Sequence, residues 1–97
     1  MAQFDVYRLG GGQLVVDFQT DLIGIDASRV VAPLREEARY TAFPGLTPQV
    51  RFGDVDWIVR VQELAAVPGA ELGSAVGSLA QHRDVLKRAL DILMDGV

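Results

Sequence analysis

Apolar side chains recur at every second position in short runs through the first two-thirds of this chain, and at helical spacing in the last third. In "QFDVYRL" (3–9), Phe4 and Val6 alternate with Asp5 and Tyr7, the period of a half-buried strand. "GGG" at 10–12 predicts a hairpin turn, because glycine takes positive φ without steric cost. "QLVVDFQTDLI" (13–23) returns as a longer strand with Leu14, Val16 and Phe18 on one face. "SRVVAPL" (28–34) is a third strand, in which Pro33 favours an edge or a bulge. "PQVRF" and "VDWIVRVQEL" predict a second hairpin across Gly53-Asp54, and "AAVPG" (65–69) closes that region. Short antiparallel strands at this spacing predict a small barrel or a strongly curled sheet. Residues 35–48 contain Pro44, Gly45 and Pro48 and read as loop, with "REEARY" compatible with a helical turn or an extended excursion.

"PGAELGSAVGSLA" (68–80) has helical spacing at Leu72, Val76 and Leu79, weakened by Gly73 and Gly77. Ser78 with Gln81 resembles a capping box, so a new helix is expected to start near residue 79. From Arg83 to Met94 the helical pattern is strong. At about 100° per residue, Arg83, Asp84, Lys87, Arg88 and Asp91 fall within an arc of roughly 140°. Val85, Leu86, Ala89, Leu90, Ile92, Leu93 and Met94 take an arc of about 200°. A helix packed on its own core needs an apolar stripe only somewhat wider than about 100°. The excess is open to a second copy of the chain, a partner protein, or a deeper groove in the chain's own core.

Composition narrows the function classes. Ninety-seven residues make one domain, spanning 1–97, and 49% hydrophobic residues are rather many for so small a domain, which points to a homo-oligomer. With no cysteine there is no disulfide framework and no thiolate metal site. The first residues do not read as a signal peptide, and no apolar run of about 18 residues could span a bilayer, so the expectation is a cytoplasmic protein without membrane contact. A net charge of −4 lacks the basic footprint of direct nucleic-acid binding.

Catalysis finds little support. No phosphate loop, nucleophile motif or metal-ligand spacing is present, and the expectation is a non-enzyme without cofactor or metal. Asp54 and Asp56 stand two apart and could face one side, but a turn acid bonding its own backbone explains Asp54 as well. Trp57 lies among strand residues and reads as core before it reads as a binding aromatic, and His82 has no metal-ligating neighbours in sequence.

"QFDVY", "VVDFQTDLI", "RVVAPL", "FGDVDW", "LAAVP" and the closing "LDILMDGV" occur in that order over nearly the whole chain. Together they resemble the CcdB family of plasmid and chromosomal toxins, the gyrase-poisoning half of a toxin–antitoxin pair. The resemblance implies an α+β fold that is mainly β: a CcdB/MazF-like, SH3-like barrel with a strongly bent antiparallel sheet, a C-terminal helix and a twofold homodimer. It implies that the helix ends meet at the dimer axis and enter the DNA gyrase A subunit, trapping cleaved DNA, and that a CcdA-like antitoxin neutralises the toxin. Carried over by position, the gyrase-facing residues are Leu22, Ile23, Asp91, Asp95, Gly96 and Val97, with Phe4 near that surface or in the core. Ile92, Leu93 and Met94 are expected at the dimer interface.

The chain departs from this pattern at its tip. Poisoning members of the family end in Trp-Gly-Ile, whereas this chain ends in Asp95-Gly96-Val97. Asp95 can replace an indole–guanidinium contact only by a carboxylate–guanidinium pair. Asp91, Asp95 and the terminal carboxylate are then either a solvated cluster or a feature awaiting a cationic receptor. Two alternatives follow: a family member whose gyrase contact is lost or altered, and a MazF-like endoribonuclease, for which Ser28-Arg29 and Arg35 to Arg39 are the basic residues to consider.

Overall fold

The computed structural model describes residues 2–20 and 28–96. Among the described residues, seven antiparallel strands curl into a half-barrel closed by one C-terminal helix, as the hydrophobic pattern predicts. β1 (Asp5–Arg8) and β2 (Leu14–Asp17) form the first hairpin across the glycine run, with Val6 opposite Val16. β3 (Ser28–Glu36) is the hub, pairing with β2 and with two later strands. β4 (Gln49–Phe52) and β5 (Val55–Val59) form the second hairpin, and β6 (Ala65–Pro68) lies along the start of β3. In the β4–β5 turn, Gly53 and Asp54 have φ of 59° and 62°, the two positive values a right-twisted two-residue hairpin requires.

Pro33 sits in a central strand rather than at an edge. Residues 28–31 of β3 pair with β6, and residues 34–36 pair with β5. Pro33 falls at the changeover, where its carbonyl accepts the Arg60 N–H at 3.0 Å. A residue without an N–H is tolerated there because neither neighbour needs one from it.

Both faces of the β1–β2–β3 sheet are covered. Val6, Val16 and Ala32 point into the main core beneath the helix, with Phe4, Phe18 and Leu34. Tyr7 was expected on the polar side with Asp5, yet it is buried on the opposite face with Val15, Val31 and Leu72. This second cluster explains why residues 72–79 are not helical, against their spacing. A short 3-10 turn at Gly69–Glu71 delivers Leu72 to the outer cluster, and Gly73 then reverses the chain at φ 63°. β7 (Gly77–Ser78) runs along β1, placing Leu79 in the main core. Tertiary pairing overrides the local preference.

α1 (Arg83–Asp95) begins after a 3-10 turn at Ala80–His82. Ser78 Oγ accepts the Ala80 N–H at 3.1 Å, so the serine ends the strand and starts this turn rather than capping the α-helix directly. Leu86 and Ala89 are buried, and Leu90 and Leu93 pack partly against the same core. These four span about 100° of the helix, the width a self-packing helix needs.

Candidate functional site

The C-terminal end of α1 is a rigid element with exposed chemistry. Its anchor is the Leu86–Ala89–Leu90–Leu93 face; burying a leucine fully contributes roughly 1.5–3 kcal/mol. The remainder of the wide apolar arc divides. On one flank, Ile92 rests on the loop before β4, where a methyl group at Gly45 would stand 2.8 Å from Ile92 Cδ1. That loop is tied by Thr47, whose Oγ1 accepts the Phe43 N–H at 2.7 Å. On the other flank Met94 projects, 70% exposed. The chain's own loop therefore covers part of the excess, and Met94 with Val85 remains open to solvent.

Gly96 ends the helix at φ 80° and ψ 2°, donating its N–H to the Ile92 carbonyl at 2.9 Å. This left-handed cap favours glycine and ends the helical hydrogen bonding. Asp91 and Asp95 are exposed, and among the described residues neither forms an ion pair. Carboxylates at this end oppose the helix dipole by about 0.3–1 kcal/mol each. Of the positions carried over by resemblance, Asp91, Asp95 and Gly96 thus share one solvent-facing tip. Leu22, Ile23 and Val97 lie outside the described residues.

Other aromatic and charged candidates are engaged internally. Phe4 is buried, its ring edge-on to Phe18 at 5.6 Å, and holds a left-handed φ of 68° just before β1. Trp57 is half-buried against the core and donates its indole N–H to the Phe52 carbonyl at 2.9 Å. Asp54 occupies the turn, while Asp56 pairs with Arg51 at 3.1 Å. Among the described residues, no group of three or more His, Asp or Glu side chains is placed to hold a metal ion. None of their helices is long and apolar enough to cross a membrane.

The arginines considered for RNA contact are largely occupied. Arg29 is buried against Asp17 at 2.7 Å, with a further donation to the Gln19 carbonyl at 3.3 Å. Arg35 donates to Gln13 Oε1 and to Glu63 at 3.3 Å. Glu63 also accepts from Arg60. The two guanidiniums lie over the Tyr40 ring, at 5.7 Å for Arg35 and 5.4 Å for Arg60. Burial works against the charged form of Glu63, but the hydrogen bonds and charges of Arg35 and Arg60 outweigh it and hold the carboxyl below its ordinary range. Sequence reasoning missed this knot, because its residues come from a strand end, an irregular loop and a turn without a shared period.

A model of the CcdB family, described as CcdB protein, matches residues 3–96. The chain belongs to the CcdB family. That family is one of toxins from toxin–antitoxin systems, in agreement with the motif order read from the sequence. A solved structure described as an endoribonuclease from Mycobacterial species is similar to this CcdB-family chain, with a TM-score of 0.77 over 97% of this chain and 90% of that one. The two are 16% identical in sequence, a likeness of fold alone.

Proposed function

We propose that this CcdB-family protein is the toxin of a toxin–antitoxin pair, and that it acts as a homodimer on the DNA gyrase A subunit through the end of α1. The observation that carries this reading is the tip itself: a helix locked to the core on one face, closed by Gly96, and presenting Asp91, Asp95 and Met94 to solvent. A binding group on a rigid rod loses less entropy on docking than one on a loose tail. The mechanism proposed is stabilisation of gyrase in its cleaved-DNA state, without covalent chemistry by the toxin. Leu22, Ile23 and Val97 would add apolar contact beside the acidic tip. The dimer seam would use Met94, with Ile92 and Leu93 holding it from behind. A CcdA-like antitoxin would neutralise the complex.

Asp95 stands where poisoning members have tryptophan, so the receptor contact proposed here is a carboxylate–guanidinium pair. The test is a gyrase cleavage assay with purified protein, beside Asp95→Trp and the double variant Asp91→Lys, Asp95→Lys. Cleaved DNA from the native protein, lost in the lysine variant, supports an acidic tip reading an arginine. Cleavage only by Asp95→Trp identifies a member whose gyrase contact has been lost. A second reading, RNA cleavage, is the activity named for that structural neighbour. Incubating the protein with RNA tests it, and cleavage that survives both tip variants would overturn the gyrase reading.

A further inference from the structure

Beneath the β1–β2 turn, on a face the gyrase reading does not use, lies an open cavity of about 360 Å³ whose polar and aromatic lining is Gln13, Arg35, Glu36, Arg39, Tyr40 and Trp57. Its size is at the small end of ligand clefts, which begin at about 300 Å³. That leaves room for one or two side chains and none for a nucleotide run.

Its polar groups are pre-set as donors. Both amide hydrogens of Gln13 are committed to backbone carbonyls, Leu14 at 2.7 Å and Leu34 at 2.8 Å. The amide oxygen is thereby turned toward Arg35 and holds its guanidinium in place. Arg35 Nε is buried without a hydrogen-bond partner. Such an orphan is uncommon, and it marks a guanidinium whose donors exceed what the chain itself satisfies. Arg39 is 77% exposed and meets only Glu36, at 3.9 Å. The lining itself carries Arg35 and Arg39 against Glu36, with the Arg60–Glu63 pair beside it, so a positive charge is in surplus here on a chain whose net charge is −4. Tyr40 is 41% exposed, and Trp57 supplies a second aromatic wall.

We propose that this pocket receives a carboxylate side chain from an acidic peptide segment of a protein partner. The carboxylate meets Arg39 and the outer donors of Arg35, while the neighbouring apolar residue of the peptide lies across Tyr40 and Trp57. Charge complementarity selects the ligand. A nucleic acid needs several cations to displace its counterions, and here Arg39 pairs with Glu36 and Arg35 with Glu63, which leaves a surplus of one positive charge. A single carboxylate needs one or two donors, and bidentate pairing with arginine supplies both strength and direction.

Trp57 is the only tryptophan, so the pocket reports its own occupancy. The probes are a short capped peptide of alternating glutamate and leucine, the same peptide with glutamine, sodium acetate, and a single-stranded RNA oligonucleotide. The expected result is a saturable change in Trp57 fluorescence with the glutamate peptide, weaker by roughly tenfold for the glutamine peptide or for Arg39→Gln, and falling with added salt. Arg39 is exposed, so circular dichroism of Arg39→Gln should match the parent. Calorimetry of the same titrations detects binding that leaves the indole silent. Equal binding of both peptides, an unaffected Arg39→Gln, acetate matching the peptide, tighter binding of RNA, or no binding at millimolar peptide would each overturn the proposal. None of these outcomes depends on gyrase activity, so this site and the helix tip fail separately.

Discussion

Asp17 on β2 and Arg29 on β3 pair at 2.7 Å with both side chains almost wholly withdrawn from solvent. Asp17 also accepts the Gln19 N–H at 2.8 Å, so the pair joins the last residue of β2 to the start of β3. Removing one member of a buried pair strands the other charge, at about 3–5 kcal/mol. Arg29→Met should therefore lower the unfolding free energy by that amount in urea denaturation. Asp17→Asn in the Arg29→Met background should recover part of it, because asparagine carries no charge and still accepts from Gln19. A coupling of about 0.5–3 kcal/mol is expected, and strict additivity would contradict it.

Glu63 gives the fold an acid-sensitive joint. Its folded pKa lies below its unfolded value, because Arg35 and Arg60 favour the carboxylate more than burial opposes it. The stabilisation is therefore complete above the unfolded glutamate value of about 4.3, and is lost as pH falls through the lower folded value. Glu63→Gln should flatten this part of the stability–pH curve while leaving the slope above pH about 5 unchanged. The side chain is about a third exposed, so the effect is modest, and thermal melts between acidic and neutral pH suffice to measure it.

How much of this was readable beforehand depends on the range of the forces involved. The strand around Val50 and the helix from Arg83 follow from local periodicity, because one face of each is buried, whereas β1 and β2 are covered on both faces and Tyr7 escaped the alternation. Leu72, Val76 and Leu79 show the limit of that signal. Their helical spacing arises because Leu72 and Leu79 serve two different clusters on opposite sheet faces, while Val76 is left exposed. The tip at Asp91, Asp95 and Gly96 could be located from sequence, since a helix end with a glycine cap is a local event. The Arg35–Tyr40–Arg60–Glu63 knot could not, since three separate segments must fold before it exists.

Gly45 sets the height of the helix end. Its φ of 78° is unfavourable for residues with a side chain, and an added methyl would press on Ile92 Cδ1. Gly45→Ala should destabilise by about 1–3 kcal/mol through the combined strain and overpacking. Ile92→Val in that background removes the clashing methyl and should restore the overpacking part alone. If both variants melt alike, the contact between the loop and α1 is not limiting.

The proposed dimer can be tested through its charges. Met94 is exposed, and Asp91 and Asp95 flank it without ion-pair partners among the described residues. Bringing two such helix ends together would gather four carboxylates, Asp91 and Asp95 of each copy, near one axis, where each also opposes a helix dipole. Apolar burial at Met94 must then exceed a repulsion that salt screens, since the Debye length falls from about 30 Å at 0.01 M to about 8 Å at 0.15 M. The dimer should therefore tighten as salt rises, the reverse of an interface held by opposite charges. Sedimentation equilibrium at both ionic strengths measures this directly. Met94→Glu should shift the population to monomer at either salt and abolish the dependence of melting temperature on protein concentration that a dimer shows, while circular dichroism of the folded chain stays the same because Met94 is exposed. A dimer that loosens with salt, or that ignores Met94→Glu, places the seam elsewhere on the molecule.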